Sequence, residues 1–171
     1  MTTLITGGAG FLGSALVRRL CAEGDEVRVL DDMSRGEPQH LAGTGCQVVY
    51  GDVRDAGAVR RAMRGCRRVV HAAYINGTAE FYADPRRVLD VALNGMMSVL
   101  DACEYTGCGD LLLLSSSEVY QSAPVVPTPE MRPKRPMSCG HHRLCRVSSR
   151  SIVPIGALAA EASPSTTLSQ K

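Results

Sequence analysis

The sequence predicts an α/β fold: a doubly wound parallel sheet with helices on both faces, followed by an irregular C-terminal tail. Three observations carry this expectation. From Thr2 to Ser115, short apolar runs alternate with segments of helical periodicity. A glycine-rich turn joins the first run to the first helical segment. After Tyr120 the alternation stops, and Pro124, Pro127, Pro129, Pro133 and Pro136 crowd one short span, which forbids a regular helix or a central strand.

The elements follow in order. Thr2 to Thr6 is β-branched and apolar and ends in glycines, so it reads as the first strand. From Gly10 to about Ala22, Phe11, Leu12, Ala15, Leu16 and Leu20 recur at helical spacing, and Gly24 stops that helix. Arg18 and Arg19 fall towards its end, where the helix dipole favours cations. Val27 to Leu30 and Gln47 to Tyr50 are the second and third strands. Asp55 can cap a helix running to about Arg64, with Gly65 just beyond it. Arg68 to His71 is the fourth strand. Asp84 then Pro85 is a cap followed by proline at the first helical position, and that helix runs to about Tyr105 before Gly107. Asp110 to Ser115 is the fifth strand, and its four leucines predict burial on both faces. Strands alternating with helices imply right-handed crossovers and parallel pairing.

The chain divides into residues 1–120 and a tail, 121–171, that is Pro-rich, then Ser/Ala-rich. The first part carries 12 basic and 15 acidic residues, the tail 7 and 2, so a net charge of −3 gives way to +5. The tail is expected to be disordered or loosely docked. Its abrupt change of charge and proline content near residue 130 suggests a different history, such as a reading-frame shift. No apolar run approaches the roughly 18 residues that cross a bilayer. The N-terminus lacks a basic segment ahead of a long apolar one, so a cytoplasmic location is expected. Seven cysteines without framework spacing fit reduced thiols. The tail has no aromatic residue after Tyr120 and no dense Lys/Arg block, so neither a nucleic-acid nor a membrane partner is expected.

The chemistry-bearing motif is Thr6-Gly-Gly-Ala-Gly-Phe-Leu-Gly13. Gly7, Gly10 and Gly13 supply in order a tight turn, close backbone approach to a pyrophosphate, and close helix–strand packing. The helix that begins there offers free N–H groups to phosphate. Asp31 and Asp32 end the second strand, where an acid accepts hydrogen bonds from a ribose diol. An acid there repels the 2′-phosphate of NADP, so NAD is the expected cofactor, although Arg35 nearby can accommodate that phosphate.

This motif resembles that of the extended short-chain dehydrogenase/reductases, the NAD-dependent epimerase/dehydratase family. Further segments are similar in order across residues 2–120. The 6–13 motif implies Phe11 and Leu12 beside the cofactor, and Leu30-Asp-Asp-Met-Ser-Arg-Gly36, which resembles the family's adenosine-ribose loop, implies Ser34 and Arg35. Gly51-Asp-Val-Arg-Asp55 resembles its adenine-contacting segment, implying Asp52 and Val53. His71-Ala-Ala73 resembles the turn against the cofactor's middle, and Asn94-Gly95 the family's Asn-x-Gly helix position. The resemblance implies a Rossmann-like fold and action on a nucleotide-sugar. Such enzymes pass a hydride from the sugar to NAD, form and rearrange a 4-keto sugar, and often return the hydride.

Ser115-Ser-Ser-Glu-Val-Tyr120 is similar to the family's active-site strand end. That implies substrate orientation by Ser116 and acid–base roles for Ser117 and Glu118. Ser-Glu rather than Asp-Glu looks more like a decarboxylase or epimerase than a dehydratase. The family's base is a tyrosine whose pKa is lowered by a lysine four residues on. Here the last tyrosine is Tyr120 and the only lysines are Lys134 and Lys171, so the pair is missing. Ser138-Cys-Gly-His-His-Arg-Leu-Cys145 stands in the expected window. His141 or His142 is a conceivable base, and Cys139 and Cys145 give the segment a metal-like flavour, but the spacing matches no structural zinc site, so no metal is expected. The helix bearing the tyrosine and lysine also helps form the family's dimer, so self-association is not implied. The expected activity is therefore impaired catalysis on a family scaffold, the alternative being a remnant that binds NAD or a partner without catalysis.

Overall fold

A computed structural model describes residues 1–115. Ser116, Ser117, Glu118, Tyr120 and the tail with its histidines lie outside the described residues. Five strands, β1 (Thr2–Thr6), β2 (Glu26–Asp31), β3 (Gln47–Tyr50), β4 (Arg68–His71) and β5 (Asp110–Leu113), form one parallel sheet in the order β3-β2-β1-β4-β5. The chain steps outward from β1 to β3, then returns to β1's other side for β4. The resulting switch point lies at the C-terminal ends of β1 and β4, the place where open α/β sheets bind ligands.

Alternating side chains along β1 build two cores. Leu4, Leu30 and Val69 face α2 (Ala56–Met63) and α4 (Pro85–Thr106), packing with Val59, Met63, Val99 and Ala102. Ile5, Val29 and Val70 face α1 (Phe11–Ala22) and pack with Val17. This is the Rossmann-like doubly wound architecture that the alternating pattern predicts.

The helix starts follow their cap chemistry. Asp55 accepts the Gly57 N–H at 2.8 Å, and Asp84 accepts the Arg87 N–H at 3.0 Å with Pro85 opening α4. Gly107, in the left-handed region, closes α4. Helix α4 buries Val88, Val99 and Ala102 but leaves Leu89, Leu93, Met97 and Leu100 exposed along its outer side.

Three expectations need correcting. β5 ends at Leu113, short of Ser115, and Leu113 is 43% exposed, so the strand is not buried on both faces. Among the described residues β5 is an edge strand, paired to β4 alone. A 3-10 turn (Pro38–Leu41) and a short helix, α3 (Thr78–Ala83), were not anticipated. Neither is long enough to show a period, and α3 buries none of its residues.

Leu4 is fully buried and Leu93 is 63% exposed, so their truncations should differ sharply. Leu4→Ala is expected to lower unfolding free energy by about 3 kcal/mol, and Leu93→Ala by less than about 0.5 kcal/mol, in urea titrations followed by circular dichroism.

Candidate functional site

At the switch point the segment from Thr6 to Gly13 turns β1 into α1. Gly7 has φ +69°, and a Cβ there would lie 2.7 Å from the Ala73 backbone. A Cβ on Gly13 would lie 2.1 Å from the Gly7 carbonyl oxygen, so only glycine lets α1 start this close to the turn. Gly10 is different: its missing Cβ would meet nothing closer than the Gly7 oxygen at 3.3 Å, leaving an open approach. No side chain caps α1, and its first intrahelical bond runs from Ser14 N–H to the Gly10 oxygen at 2.9 Å. The amides of Phe11, Leu12 and Gly13 therefore precede the hydrogen-bonded ladder, at the positive end of the helix dipole. Phe11 turns its ring outward, 77% exposed. This backbone concavity fits a pyrophosphate.

Asp31 ends β2 and is buried. One carboxylate oxygen accepts the Ala9 N–H and the other the Met33 N–H, each at 2.9 Å. No cation pairs with it among the described residues, so acceptor capacity remains. A ribose diol offers two hydroxyl donors that match this capacity. Met33 follows in the left-handed region, φ 57°, held there by the Asp31 bond. Asp32 is exposed, and one of its oxygens takes both the amide and the hydroxyl of Ser34, at 2.9 and 2.7 Å. Asp31 is thus the acid set into the turn, while Asp32 shapes the loop with Ser34.

Two loops wall the turn. On the β2 side, Glu37 N–H and His40 Nδ1 reach the Ala9 carbonyl oxygen at 3.3 and 3.0 Å, and Arg18 donates to the His40 carbonyl at 2.6 Å. On the β4 side, the Thr6 hydroxyl accepts the Ala73 N–H at 3.2 Å and lies 2.7 Å from Nδ1 of the buried His71. Ala72 and Ala73 are half-buried beside Gly7. Burial lowers the His71 pKa to about 4, so the ring is neutral near pH 7. Arg35 Nη1 donates to the Asn76 carbonyl, joining the two loops.

The remaining predicted residues sit farther along the sheet edge. Asp52 accepts the Arg54 amide and is gripped by the Arg54 guanidinium, which also bonds Asp90 of α4 at 2.6 Å. The Arg54 hydrogen bond holds the Asp52 carboxyl below the usual carboxylate range. Asn94 donates to Asp90. These residues line an open recess of about 570 Å³ between the β3–α2 loop and α4. Val53 turns into the core, 6% exposed, over Gly95. The glycine turn, Asp31, Ser34, Arg35 and His71–Ala73 come together at the switch point, whereas Asp52 and Asn94 form this neighbouring network. The sequence reading missed Thr6, whose one signal is a polar residue ending an apolar strand. It also missed Arg54 and the Asn76 carbonyl, which no spacing reveals. Among the described residues no His, Cys, Asp or Glu cluster is arranged to hold a metal ion, and no helix is long and apolar enough to cross a membrane.

A model of the NAD dependent epimerase/dehydratase family matches residues 3–149. The chain belongs to this family. It is 32% identical over 136 residues to a UDP-glucose 4-epimerase of Streptomyces lividans, covering 78% of this chain and 41% of the relative. It is 35% identical over 132 residues to a dTDP-4-dehydro-6-deoxy-D-allose reductase of a Streptomyces species, covering 73% and 40%. The fold superposes with a TM-score of 0.71 on a UDP-glucose 4-epimerase from Bifidobacterium longum solved with NAD+ and UDP, at 27% identity over 78% of this chain and 42% of that one. The chain thus spans about two fifths of the length of these two Streptomyces relatives.

The buried imidazole has a measurable consequence. Between an unfolded pKa near 6.5 and a folded value of about 4, the unfolded chain binds a proton that folded His71 does not. Its contribution to stability is complete above pH 6.5 and declines as pH falls towards 4. From pH 7 to pH 5 the loss should be about 2 kcal/mol, and His71→Gln should remove that part of the slope in urea titrations at both pH values. An identical slope in the variant would mean the ring titrates normally.

Proposed function

We propose that these 171 residues form an NAD-binding module of the epimerase/dehydratase family and do not by themselves turn over a nucleotide-sugar. The observation that carries the first half is the buried Asp31 carboxylate, which pairs with no cation among the described residues, beside the uncapped start of α1. In this reading the first-turn amides of α1 hold the diphosphate, and Gly10 permits its approach. Asp31 takes the adenosine-ribose hydroxyls, with Ser34 and Asp32 shaping the loop beside them. The Thr6–His71–Ala73 bonds fix the β4 turn against the cofactor's middle. Asp52, Val53 and Asn94 fall on the adenine side. Bound NAD would supply a hydride acceptor. NAD is favoured over NADP because a 2′-phosphate would stand beside two carboxylates. The epimerase relatives make a nucleotide-sugar the expected substrate class.

The second half rests on the sequence. Ser116, Ser117 and Glu118 are the assigned substrate and acid–base residues, but no Tyr-x-x-x-Lys accompanies them. A tyrosinate beside a lysine is the group that moves the proton in this family, and the sequence contains no such pair. A second reading, a remnant that associates with a partner subunit, draws support from the exposed Leu89, Leu93 and Met97 of α4. Activity gained on mixing with a full-length relative would favour it, and no gain at any ratio would remove it.

Calorimetric titration separates binding from chemistry. Wild type is expected to bind NAD+ more tightly than NADP+ and to leave UDP-glucose unconverted. Asp31→Asn should weaken NAD+ about tenfold, as loss of a charged acceptor does, and narrow the gap to NADP+. Conversion of UDP-glucose by the purified chain would refute the catalytic half while leaving the binding half intact.

A further inference from the structure

Arg35 stands in the exposed loop between β2 and the 3-10 turn. This loop is pinned to one side of the glycine turn: a Cβ on Gly36 would lie 2.6 Å from the Ala9 Cβ, and Glu37 N–H reaches the Ala9 oxygen. Asn76 belongs to the opposite wall, three residues beyond Ala73, whose backbone abuts Gly7. The guanidinium nonetheless donates to the Asn76 carbonyl. It therefore joins the two walls that flank the turn leading into the α1 amides. Asp31 and Asp32 stand nearer in sequence, yet neither pairs with it, and no carboxylate lies within ion-pair distance of Arg35 among the described residues. Its bonding partner is a neutral oxygen, one that a charged oxygen can replace with gain.

We infer that Arg35 is a diphosphate clamp of the cofactor site and not a reader of the 2′-position. When the cofactor's diphosphate settles on the α1 amides, Arg35 exchanges the Asn76 carbonyl for a phosphate oxygen. A hydrogen bond between opposite charges replaces one to a neutral acceptor. The clamp assignment rests on the proposal that the chain binds NAD, and it separates Arg35 from the NAD/NADP choice, which it leaves to Asp31 and Asp32.

The test uses the full chain as wild type, Arg35→Met and Arg35→Lys. NAD+, NADP+ and ADP are titrated by calorimetry, and adenosine by ligand-observed NMR. Arg35→Met should weaken NAD+ and ADP alike by about tenfold, leave adenosine unchanged, and keep the NAD+/NADP+ ratio. Arg35→Lys, with its charge retained, should recover part of the loss. If Arg35→Met loses NADP+ selectively and keeps NAD+, Arg35 reads the 2′-phosphate and the clamp is wrong. If adenosine weakens as much as ADP, Arg35 only braces the loop, and the clamp is again wrong. Wild type that binds neither NAD+ nor ADP would overturn the binding proposal itself, a result visible before any variant is made.

Discussion

The upper edge of the sheet depends on the absence of a side chain on Gly13, where α1 meets the Gly7 carbonyl. With 2.1 Å between a Gly13 Cβ position and the Gly7 oxygen, even alanine would push α1 off the turn. The displacement would not stay local. Val17 would leave the core it shares with Ile5 and Val29, and Ala9 would lose its bonds to Asp31, Glu37 and His40. Packing and ligand geometry are set by one contact, because close-packed interiors transmit such shifts.

Asp31 is the second fixed point, and it works through the backbone. Its two amide bonds hold Ala9 on one side and bend the chain through Met33 on the other, so the carboxylate organises both the turn and the loop that walls it. Thr6 does the same from β1 towards β4, using one hydroxyl to join His71 and Ala73. The walls are thereby built by strand-end residues, whose positions the parallel register of β1 with β2 and β4 already determines. Rigid strands aim the loops.

Much of this was legible because the signals are local. Asp84-Pro85 marks the start of α4, Asp55 that of α2, and the glycine spacing places the turn, each through one residue's own chemistry. The leucines of β5 misled because composition reports apolarity and not neighbours. Among the described residues β5 pairs with β4 alone, and Leu113 is left exposed whatever its hydrophobicity. In the site, Asp31 could be found from its distance to the glycines, but its two amide partners could not. Asp52 could be placed by resemblance, whereas the grip of Arg54, which ties it to Asp90 across 38 residues of sequence, is a tertiary event. Ionic networks of this sort depend on which helix face meets which loop, and no spacing rule carries that.

The electrostatics of the turn bear on what it can accept. A buried carboxylate without a counter-ion is costly unless donors satisfy it, and among the described residues Asp31 has two amide donors and no cation. Neutral hydroxyls can complete its shell without repulsion; a further phosphate at that point cannot, since it replaces a donor with a second negative charge. The diphosphate of a dinucleotide would raise the opposite demand a few residues away, where the first-turn amides of α1 offer partial positive charge. The site therefore separates its two problems in space. The β2 end is tuned for neutral donors, and the α1 end for anions. In the proposed reading, a ligand suited to both ends carries a diol at one position and a diphosphate at the other, which is the chemistry of the ADP portion of NAD.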